Sequence, residues 1–485
     1  MTFSANKHTK NFADSLPPII KKIEPLNLPG LVDSEVQSID LSLLHKINPK
    51  RYPFLLESVA KGALGEFDVL MAYPQESIQL ENPADAHAFI EQVQAQFSQI
   101  NPDIQNSHDL PFIGGWFAYF SYDYAQVVEP VLQLPQSQFP LANLTRIPVG
   151  IIVEHASQSV YLVAEPDFEH CLQQVEIDMV AVLNLNKQDV PVVVTKDQEE
   201  PEQKYLSGVE AIKEYILSGD VFQVNLSRQW QVELENNTDY LDVYHALRKS
   251  NPAPFAALAY FETGSQQSDK ADQAWQIISS SPERLVKYKY PWVDTRPIAG
   301  TRKRGDNPQA DKELVTELIE HPKERAEHIM LIDLERNDLG RICRPGTVEV
   351  NELMVVETYE HVHHIVSNVR GQLQDGLSPL DIVHALFPGG TITGCPKIRC
   401  MQIVAELEQM PREAYTGSLG YINLDGSLDL NILIRTMIQF EKEGKPIVQF
   451  RAGAGIVADS QAQNELTETR HKAKGLVNAL QAGCD

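Results

Sequence analysis

The sequence predicts an α+β fold in which antiparallel β-sheets pack together and are flanked by helices. Alternating apolar and polar runs come in adjacent pairs, as in "VGIIVEHASQSVYLVAE" (149–165), where a turn at 155–159 predicts a hairpin. Other segments repeat apolar residues at helical spacing. Because helices and strands do not alternate with the regular period of a parallel sheet, antiparallel sheet is the simplest arrangement.

A polar segment near residue 200 separates the predicted elements into an N-terminal and a C-terminal group. Before it, the chain contains short apolar runs such as "FDVLMAY" (67–73) and the hairpin, and this part carries little chemistry. The segment "VTKDQEEPEQKY" (194–205) is acidic and contains a proline, which predicts a linker. We therefore predict an N-terminal region over 1–200 and a catalytic region over 201–485.

The second part supplies clearer elements. "GVEAIKEYILSGD" (208–220) has helical periodicity, whereas "VFQVNLSRQWQVEL" (221–234) alternates as a strand does. A charge-rich helix is predicted to start after Pro322 in "HPKERAEHIMLIDLERNDLGR". "GSLGYINLDGSLDLNILIRTMIQFE" (417–441) consists of two alternating runs around Asp425-Gly426, which predicts a hairpin.

The composition is that of a globular protein and narrows its partners. The 485 residues are 43% hydrophobic and carry a net charge of −25. That charge argues against nucleic acid or an anionic membrane as a partner, and an anionic ligand would need local arginine, lysine or metal. The five cysteines show no metal-ligand spacing, and no apolar run is long enough for a signal or membrane segment. We therefore expect a soluble, cytoplasmic protein with free thiols.

Two helices carry carboxylates in suggestive patterns. Glu465, Glu468 and Lys472 share one face of the C-terminal helix, either as a solvated stripe with a Glu468–Lys472 ion pair or as part of a site. The preceding glycines, Gly453 and Gly455, favour an anionic ligand because they leave backbone N–H groups accessible. Glu327 lies at the edge of the buried stripe of its helix, where a carboxylate needs a cation. Two facing carboxylate helices would suit Mg²⁺.

Two further residues have both a structural and a catalytic interpretation. Glu283 follows a Ser-Pro break between two strand-like runs, where it is either solvated or a general acid or base in a cleft. His364 is by default a packed or hydrogen-bonded core histidine, and a catalytic role is the minority interpretation.

Seven motifs in one order resemble those of the chorismate-utilising enzymes. They are "RPIAGTRKRG", "KERAEHIMLIDLERNDLGR", "HHIVSNVRG", "FPGGTITGCPKIR", "GSLGYINLDG", "LNILIRT" and "AGAGIVADSQAQNELTET". The resemblance covers the chain from about Tyr205 to the C-terminus. This family includes anthranilate synthase component I, aminodeoxychorismate synthase component I, and the isochorismate and salicylate synthases. The resemblance implies the chorismate-utilising enzyme fold and Mg²⁺ between protein carboxylates and chorismate.

The resemblance also implies roles for individual residues. Glu327 and Glu468 would bind the metal, with Glu465 helping directly or through water. Arg435 and Tyr421 would hold the enolpyruvyl carboxylate. The remaining residues would be Glu283 as general acid or base, His364 beside the ring, Lys472 and the backbone of Gly453, Ala454 and Gly455 near the substrate's charges, and the catalytic positions Ala299 and Thr301.

The branch of the family is a separate question. Asn225, His363, "NPAPFAAL" (251–258) and "FPGGTITG" (387–394) favour aminodeoxychorismate synthase component I, which we expect. Ala299, "SNVRG", "AGAGIVADS" and "LLES" (55–58) favour the alternative, anthranilate synthase component I. The best-known aminodeoxychorismate synthases carry a nucleophilic lysine where this chain has Ala299, and a methyl group cannot attack. A separate glutamine amidotransferase subunit would supply ammonia, which implies a heterodimer.

Overall fold

The computed structural model describes residues 17–23, 39–60, 65–183, 185, 190–262, 274–305, 307–359 and 362–481. These residues form two large antiparallel sheets flanked by helices, which confirms the predicted α+β fold. None of the helices in the described ranges has the length and hydropathy of a membrane-spanning segment.

The first sheet has twelve strands among the described residues and contains strands from both ends of the chain. Its strands, numbered in chain order, are β1 (Ile19–Ile23), β2 (Phe54–Glu57), β3 (Phe67–Ala72), β7 (Val149–Glu154), β8 (Ser159–Ala164), β9 (Val194–Glu199), β10 (Gln223–Leu234), β11 (Phe255–Glu262), β12 (Ala274–Ser281), β18 (Gly394–Cys395), β21 (Thr436–Lys442) and β22 (Lys445–Ile456).

The second sheet has ten strands in the same described ranges. They are β4 (Ser77–Leu80), β5 (Gly115–Phe120), β6 (Ala142–Ile147), β13 (Arg284–Lys289), β14 (Trp292–Thr295), β15 (Ile298–Lys303), β16 (Glu349–Thr358), β17 (Val362–Gln372), β19 (Ser418–Asn423) and β20 (Leu428–Asn431).

Eleven α-helices are described around these sheets. They are α1 (Leu41–Ile47), α2 (Ala86–Phe97), α3 (Ala125–Val128), α4 (Leu172–Leu183), α5 (Glu202–Leu217), α6 (Tyr240–Ser250), α7 (Pro308–Glu320), α8 (Pro322–Gly340), α9 (Pro379–Leu386), α10 (Lys397–Glu408) and α11 (Ala462–Gln481). Helix α8 begins at Pro322, one residue before the predicted start, because proline fits the first helical turn.

The predicted hairpin at 149–165 is confirmed, with β7 and β8 in antiparallel register. The predicted linker at 194–205 is wrong: β9 pairs with β10, and α5 follows at Glu202. Charged side chains such as Lys196 and Asp197 suit an edge strand because they discourage pairing with other chains. Their polarity therefore does not indicate a linker.

Both sheets contain strands from either side of residue 200. Three of the four buried hydrophobic clusters of the described residues also combine side chains from both parts of the chain. One cluster, which we call the inter-sheet core, contains Phe54 and Ile277 of the first sheet and Phe117 and Leu419 of the second. The predicted regions 1–200 and 201–485 therefore share their sheets and cores.

Candidate active site

Glu283 and Arg435 lie where the chain crosses from one sheet to the other. Glu283 stands between β12 of the first sheet and β13 of the second, and Arg435 between β20 and β21. The two crossings are joined by backbone hydrogen bonds: Ile432 N–H donates to the Glu283 carbonyl at 3.0 Å, and Ser280 N–H donates to the Arg435 carbonyl at 3.0 Å. The carboxyl and the guanidinium are therefore held at one place.

Arg435 has a strained backbone, and its guanidinium forms no ion pair within the described part of the chain. Its φ of 54° lies in the left-handed region, which costs a non-glycine residue of order 1–2 kcal/mol. Burial lowers the pKa of its guanidinium, while Tyr415, Glu468 and Glu283 act electrostatically in the opposite direction. The guanidinium forms no salt bridge with any carboxylate of the described residues. It is therefore available to an anionic ligand.

Glu283 is suited to hold a proton at neutral pH. Its side chain is 5% exposed, and its Oε1 atom has no hydrogen-bond partner among the described residues. Burial raises the pKa of this carboxyl to about 7, opposed by Thr391, the Ile298 backbone and the charge of Arg435. The Thr391 hydroxyl is close enough to act on the carboxyl but falls short of hydrogen-bond geometry. A general acid needs such a pKa, near the working pH.

Strands β10 and β22 form a wall of the same site. A Cβ atom at Gly453 would lie 2.8 Å from Asn225 Oδ1 and 2.9 Å from Tyr415 Oη, and a Cβ at Gly455 would overlap the Gln223 amide. The glycines therefore leave room for these side chains beside the strand. Ala454 lies between them in β22, so its side chain points to the opposite face of the strand. There it is fully buried in the apolar cluster that contains Val224 and Leu466.

Unsatisfied polar atoms concentrate at this place. Thirteen buried side-chain N or O atoms of the described residues have no hydrogen-bond partner. Such atoms are rare in folded proteins, so a local concentration of them indicates a place for a polar ligand. Five of the thirteen border the site: Tyr205 Oη, Gln223 Oε1, Asn225 Oδ1, Glu283 Oε1 and Thr391 Oγ1.

The structure does not bring Tyr421 together with Arg435. The Tyr421 ring packs edge-on against Phe112 at 6.0 Å, and its phenol is influenced by Asp429 and Arg284 rather than by Arg435. Tyr415 instead interacts electrostatically with Arg435. Tyr421 lies within the motif "GSLGYINLDG" and in β19, whereas Tyr415 lies two residues before that motif and outside the strand, so the motif did not indicate it.

The charged face of α11 shows features of both interpretations, the ion-paired stripe and the binding site. Lys472 Nζ and Glu468 Oε1 form the predicted ion pair at 2.7 Å, and the charge of Lys472 also acts on Glu283. Glu465 is buried, Glu468 is exposed and Glu327 on α8 is partly buried. Within the described ranges, no three His, Cys, Asp or Glu residues gather as a metal-binding group, so Glu327, Glu465 and Glu468 do not form a closed cluster.

The strand pair β15–β17 forms another side of the site. Ala299 is buried opposite Ile365, and the Ile298 backbone next to it acts on Glu283. The backbone of Thr301 lies opposite His364, whereas the Thr301 side chain lies outside the described part of the structure. Burial, with a smaller contribution from the nearby charge of Arg435, lowers the pKa of His364 to about 4, against the opposing effect of the Gly300 backbone. His364 is therefore neutral at physiological pH.

A buried charged network supports this site and was not evident in the sequence. The Glu408 carboxylate, 3% exposed, accepts hydrogen bonds from Arg412 at 2.7 Å, from Arg451 at 2.9 Å and from Ser227 at 2.8 Å. Arg412 also donates to the Asn225 carbonyl at 2.6 Å. The network thus fixes the strand that presents Asn225. In sequence, Ser227 is 181 residues from Glu408, Arg451 is 43 and Arg412 is 4. Local spacing could therefore have predicted only the contact with Arg412.

The comparisons with known proteins agree with this architecture. Residues 52–478 match the chorismate binding enzyme family. The chain is 40% identical to an "Anthranilate synthase component I-like protein" of Synechocystis, over 86% of this chain and 83% of the relative. It is also 40% identical to "Aminodeoxychorismate synthase component 1" of Bacillus subtilis, over 78% and 80%.

Solved structures share the fold. The anthranilate synthase component I structure from Streptococcus pneumoniae has a TM-score of 0.70 and 31% identity, covering 86% of this chain and 93% of that one. The menaquinone-specific isochorismate synthase MenF from Escherichia coli has a TM-score of 0.65 and 19% identity, covering 96% of each chain, which shows the fold alone. On these grounds, the chain belongs to the chorismate binding enzyme family.

Proposed function

We propose that this protein aminates chorismate at ring carbon C4 to give 4-amino-4-deoxychorismate, using ammonia from a separate glutamine amidotransferase subunit. The observation that carries this choice is the side-chain oxygen of Asn225. This atom is buried beside Tyr415 and Gly453 and has no hydrogen-bond partner among the described residues. The aminodeoxychorismate synthase branch has this polar residue where anthranilate synthases typically have an apolar one, and here the amide lines the site.

Binding would rest on local positive charge. Chorismate is a dianion, and Arg435 is a partly buried cation without a salt bridge to any described carboxylate. A carboxylate placed against it would form charge-assisted hydrogen bonds. Tyr415 stands beside the same guanidinium, and Lys472 adds a second positive charge. These two positive charges thus offset the negative net charge of the protein locally, where the substrate would bind.

The carboxylates present fit Mg²⁺, which takes oxygen ligands and usually keeps waters besides one or two carboxylates and substrate oxygens. We propose Glu327 and Glu468 as the residues that would hold it, with Glu465 directly or through water. When bound, Mg²⁺ would polarise the ring carboxylate of chorismate.

Glu283 would act as general acid and then as base. It donates its proton to the C4 hydroxyl as the C4–O bond breaks and water leaves. Ammonia forms the C4–N bond and returns one proton to the Glu283 carboxylate, so the reaction is balanced as chorismate and ammonia giving amine and water. Ala299 offers no nucleophile, so this route proceeds without a covalent lysine adduct. His364 is neutral and therefore carries no charge in this step.

Anthranilate synthesis is the second candidate, and Ala299 favours it. Several similar proteins are also named anthranilate synthase component 1, including one of Synechocystis with 36% identity over 89% of this chain. In that reaction the enolpyruvyl group leaves as pyruvate. The two candidates share the site but differ in the released product.

A product assay separates these candidates. The protein is incubated with chorismate, Mg²⁺ and ammonium, and a separate aminodeoxychorismate lyase is added in a second step. We expect 4-aminobenzoate only after the lyase is added, and no pyruvate before it. Fluorescent anthranilate and an equal amount of pyruvate before the lyase would contradict the proposal and support the second candidate.

A further inference from the structure

The hydroxyl group of Tyr205 is a buried polar group that no role above uses. Tyr205 lies in the first turns of α5 and is 3% exposed, and its Oη atom has no hydrogen-bond partner among the described residues. Its ring is held by the apolar cluster that contains Val224 and Leu466, with the Arg228 guanidinium 6.0 Å from the ring centroid. The ring is therefore fixed in place, and its hydroxyl is kept from water.

The groups around this hydroxyl belong to the candidate site. The charges of Glu465 and Glu468 on α11 act on the Tyr205 phenol, and so does Tyr415. The same turn of α11 is tied to the surroundings of Tyr205, because Arg470 and Arg228 both bond to Glu199, at 2.9 and 2.5 Å. Leu466, the neighbour of Glu465, packs in the same apolar cluster as Tyr205, so these contacts hold this turn of α11 beside the Tyr205 ring.

An unpartnered buried hydroxyl destabilises the protein that contains it. Phenylalanine would fill the same space without that penalty. A tyrosine here is therefore explained by a state in which the hydroxyl does find an acceptor. No described residue provides an acceptor in the free protein. The carboxylates whose charges act on Tyr205 are those of Glu465 and Glu468, and a bound ligand would reorient them.

We propose that Tyr205 is a positioning residue of the chorismate site, whose hydroxyl donates a hydrogen bond to the Glu465 carboxylate when metal and substrate are bound. The inference rests on the proposed function, because it assigns Glu465 and Glu468 to the site of Mg²⁺ and chorismate. A tyrosine phenol ordinarily keeps its proton at neutral pH, so Tyr205 can donate this hydrogen bond. The bond orients a carboxylate and takes no part in bond making at the ring.

The Tyr205→Phe variant tests this inference through thermal melting of the whole chain, alone, with Mg²⁺, and with Mg²⁺ plus chorismate in the absence of ammonium. Without ligand, we expect the melting temperature of the variant to equal or exceed that of the parent. With ligands, we expect a smaller rise than in the parent, and Mg²⁺ affinity measured by calorimetry about tenfold weaker, as for a lost hydrogen bond to a charged group.

Tyr119→Phe is the matched control, because Tyr119 is also buried with an unpartnered hydroxyl but lies in the inter-sheet core. Its response to ligands should equal that of the parent. A Tyr205→Phe variant that melts lower than the parent without ligand would show a structural role and overturn the inference. An unchanged ligand response would overturn it as well. If the parent itself responds neither to Mg²⁺ nor to chorismate, the proposed function fails together with the inference.

Discussion

Replacing Glu283 by glutamine lowers the turnover of chorismate by roughly 10²- to 10⁴-fold, the usual contribution of a positioned general acid or base. The amide keeps the size of the side chain but cannot release a proton. Initial rates with chorismate, Mg²⁺ and ammonium measure the effect. In the parent, the rate should also fall as pH rises through about 7, since burial raises the pKa of Glu283 to that value. The variant should lack this dependence.

The same substitution should stabilise the protein at alkaline pH. The folded-state pKa of Glu283 is raised from 4.5 to about 7, so its stabilising contribution is complete below the lower value and is lost as pH rises through the higher one. Glutamine does not ionise, so the variant avoids a loss of up to about 3 kcal/mol. Urea unfolding of the parent and the variant at about pH 4.5 and again above pH 7 measures this difference.

Glu441→Gln is the control, because Glu441 is exposed near the end of β21. It should change neither the rate nor the stability. A Glu283→Gln variant that turns over chorismate at the parental rate would show that another group supplies the proton.

Replacing Glu408 by alanine destabilises the protein by about 3–5 kcal/mol, the typical cost of leaving buried charges without their partner. Arg412 and Arg451 are each 2% exposed, and both direct their guanidinium groups at Glu408. Without the carboxylate, two positive charges remain buried with no ionic partner among the described residues. The free energy of unfolding in urea measures the loss.

An exposed ion pair provides the comparison. Arg344 and Asp375 form a salt bridge at 2.7 Å with side chains 41% and 88% exposed. Removing Asp375 should cost at most about 1 kcal/mol, because water and salt screen such pairs. If Glu408→Ala costs no more than Asp375→Ala, the two arginines must be compensated by other groups, and the network does not hold the strand of Asn225.

Local patterns were sufficient to predict much of the fold. The hairpin β7–β8, strand β10 and helix α8 follow from apolar periodicity and from turn or proline signals, which act over a few residues. The run 428–441 shows the limit. It alternates continuously in sequence, yet it forms β20 in one sheet and β21 in the other, with a crossing at 432–435. Periodicity describes which residues share a face, not the sheet to which they belong.

The candidate site shows the same limit. Arg435 and Lys472 both act electrostatically on Glu283, although they are far from it in sequence. The resemblance to the family had indicated all three residues. Tyr415, which interacts with Arg435, was not indicated because it precedes the motif that contains Tyr421, and its position next to Arg435 depends on the packed structure. Tyr205 was missed because its buried hydroxyl without a hydrogen-bond partner is visible only in the packed structure. Glu408 was missed for the same reason, since its arginine partners are brought together by packing. The roles of the site residues remain predictions.

The most direct test of the central claim is an equilibrium titration of chorismate, with Mg²⁺ present, into the Glu283→Gln variant, which should bind the substrate without consuming it. We predict one binding site per chain. Adding Arg435→Gln should weaken the binding by roughly 10- to 150-fold, as expected for lost hydrogen bonds between charged groups. No binding by Glu283→Gln, or binding unaffected by Arg435→Gln, would contradict the placement of chorismate between Glu283 and Arg435.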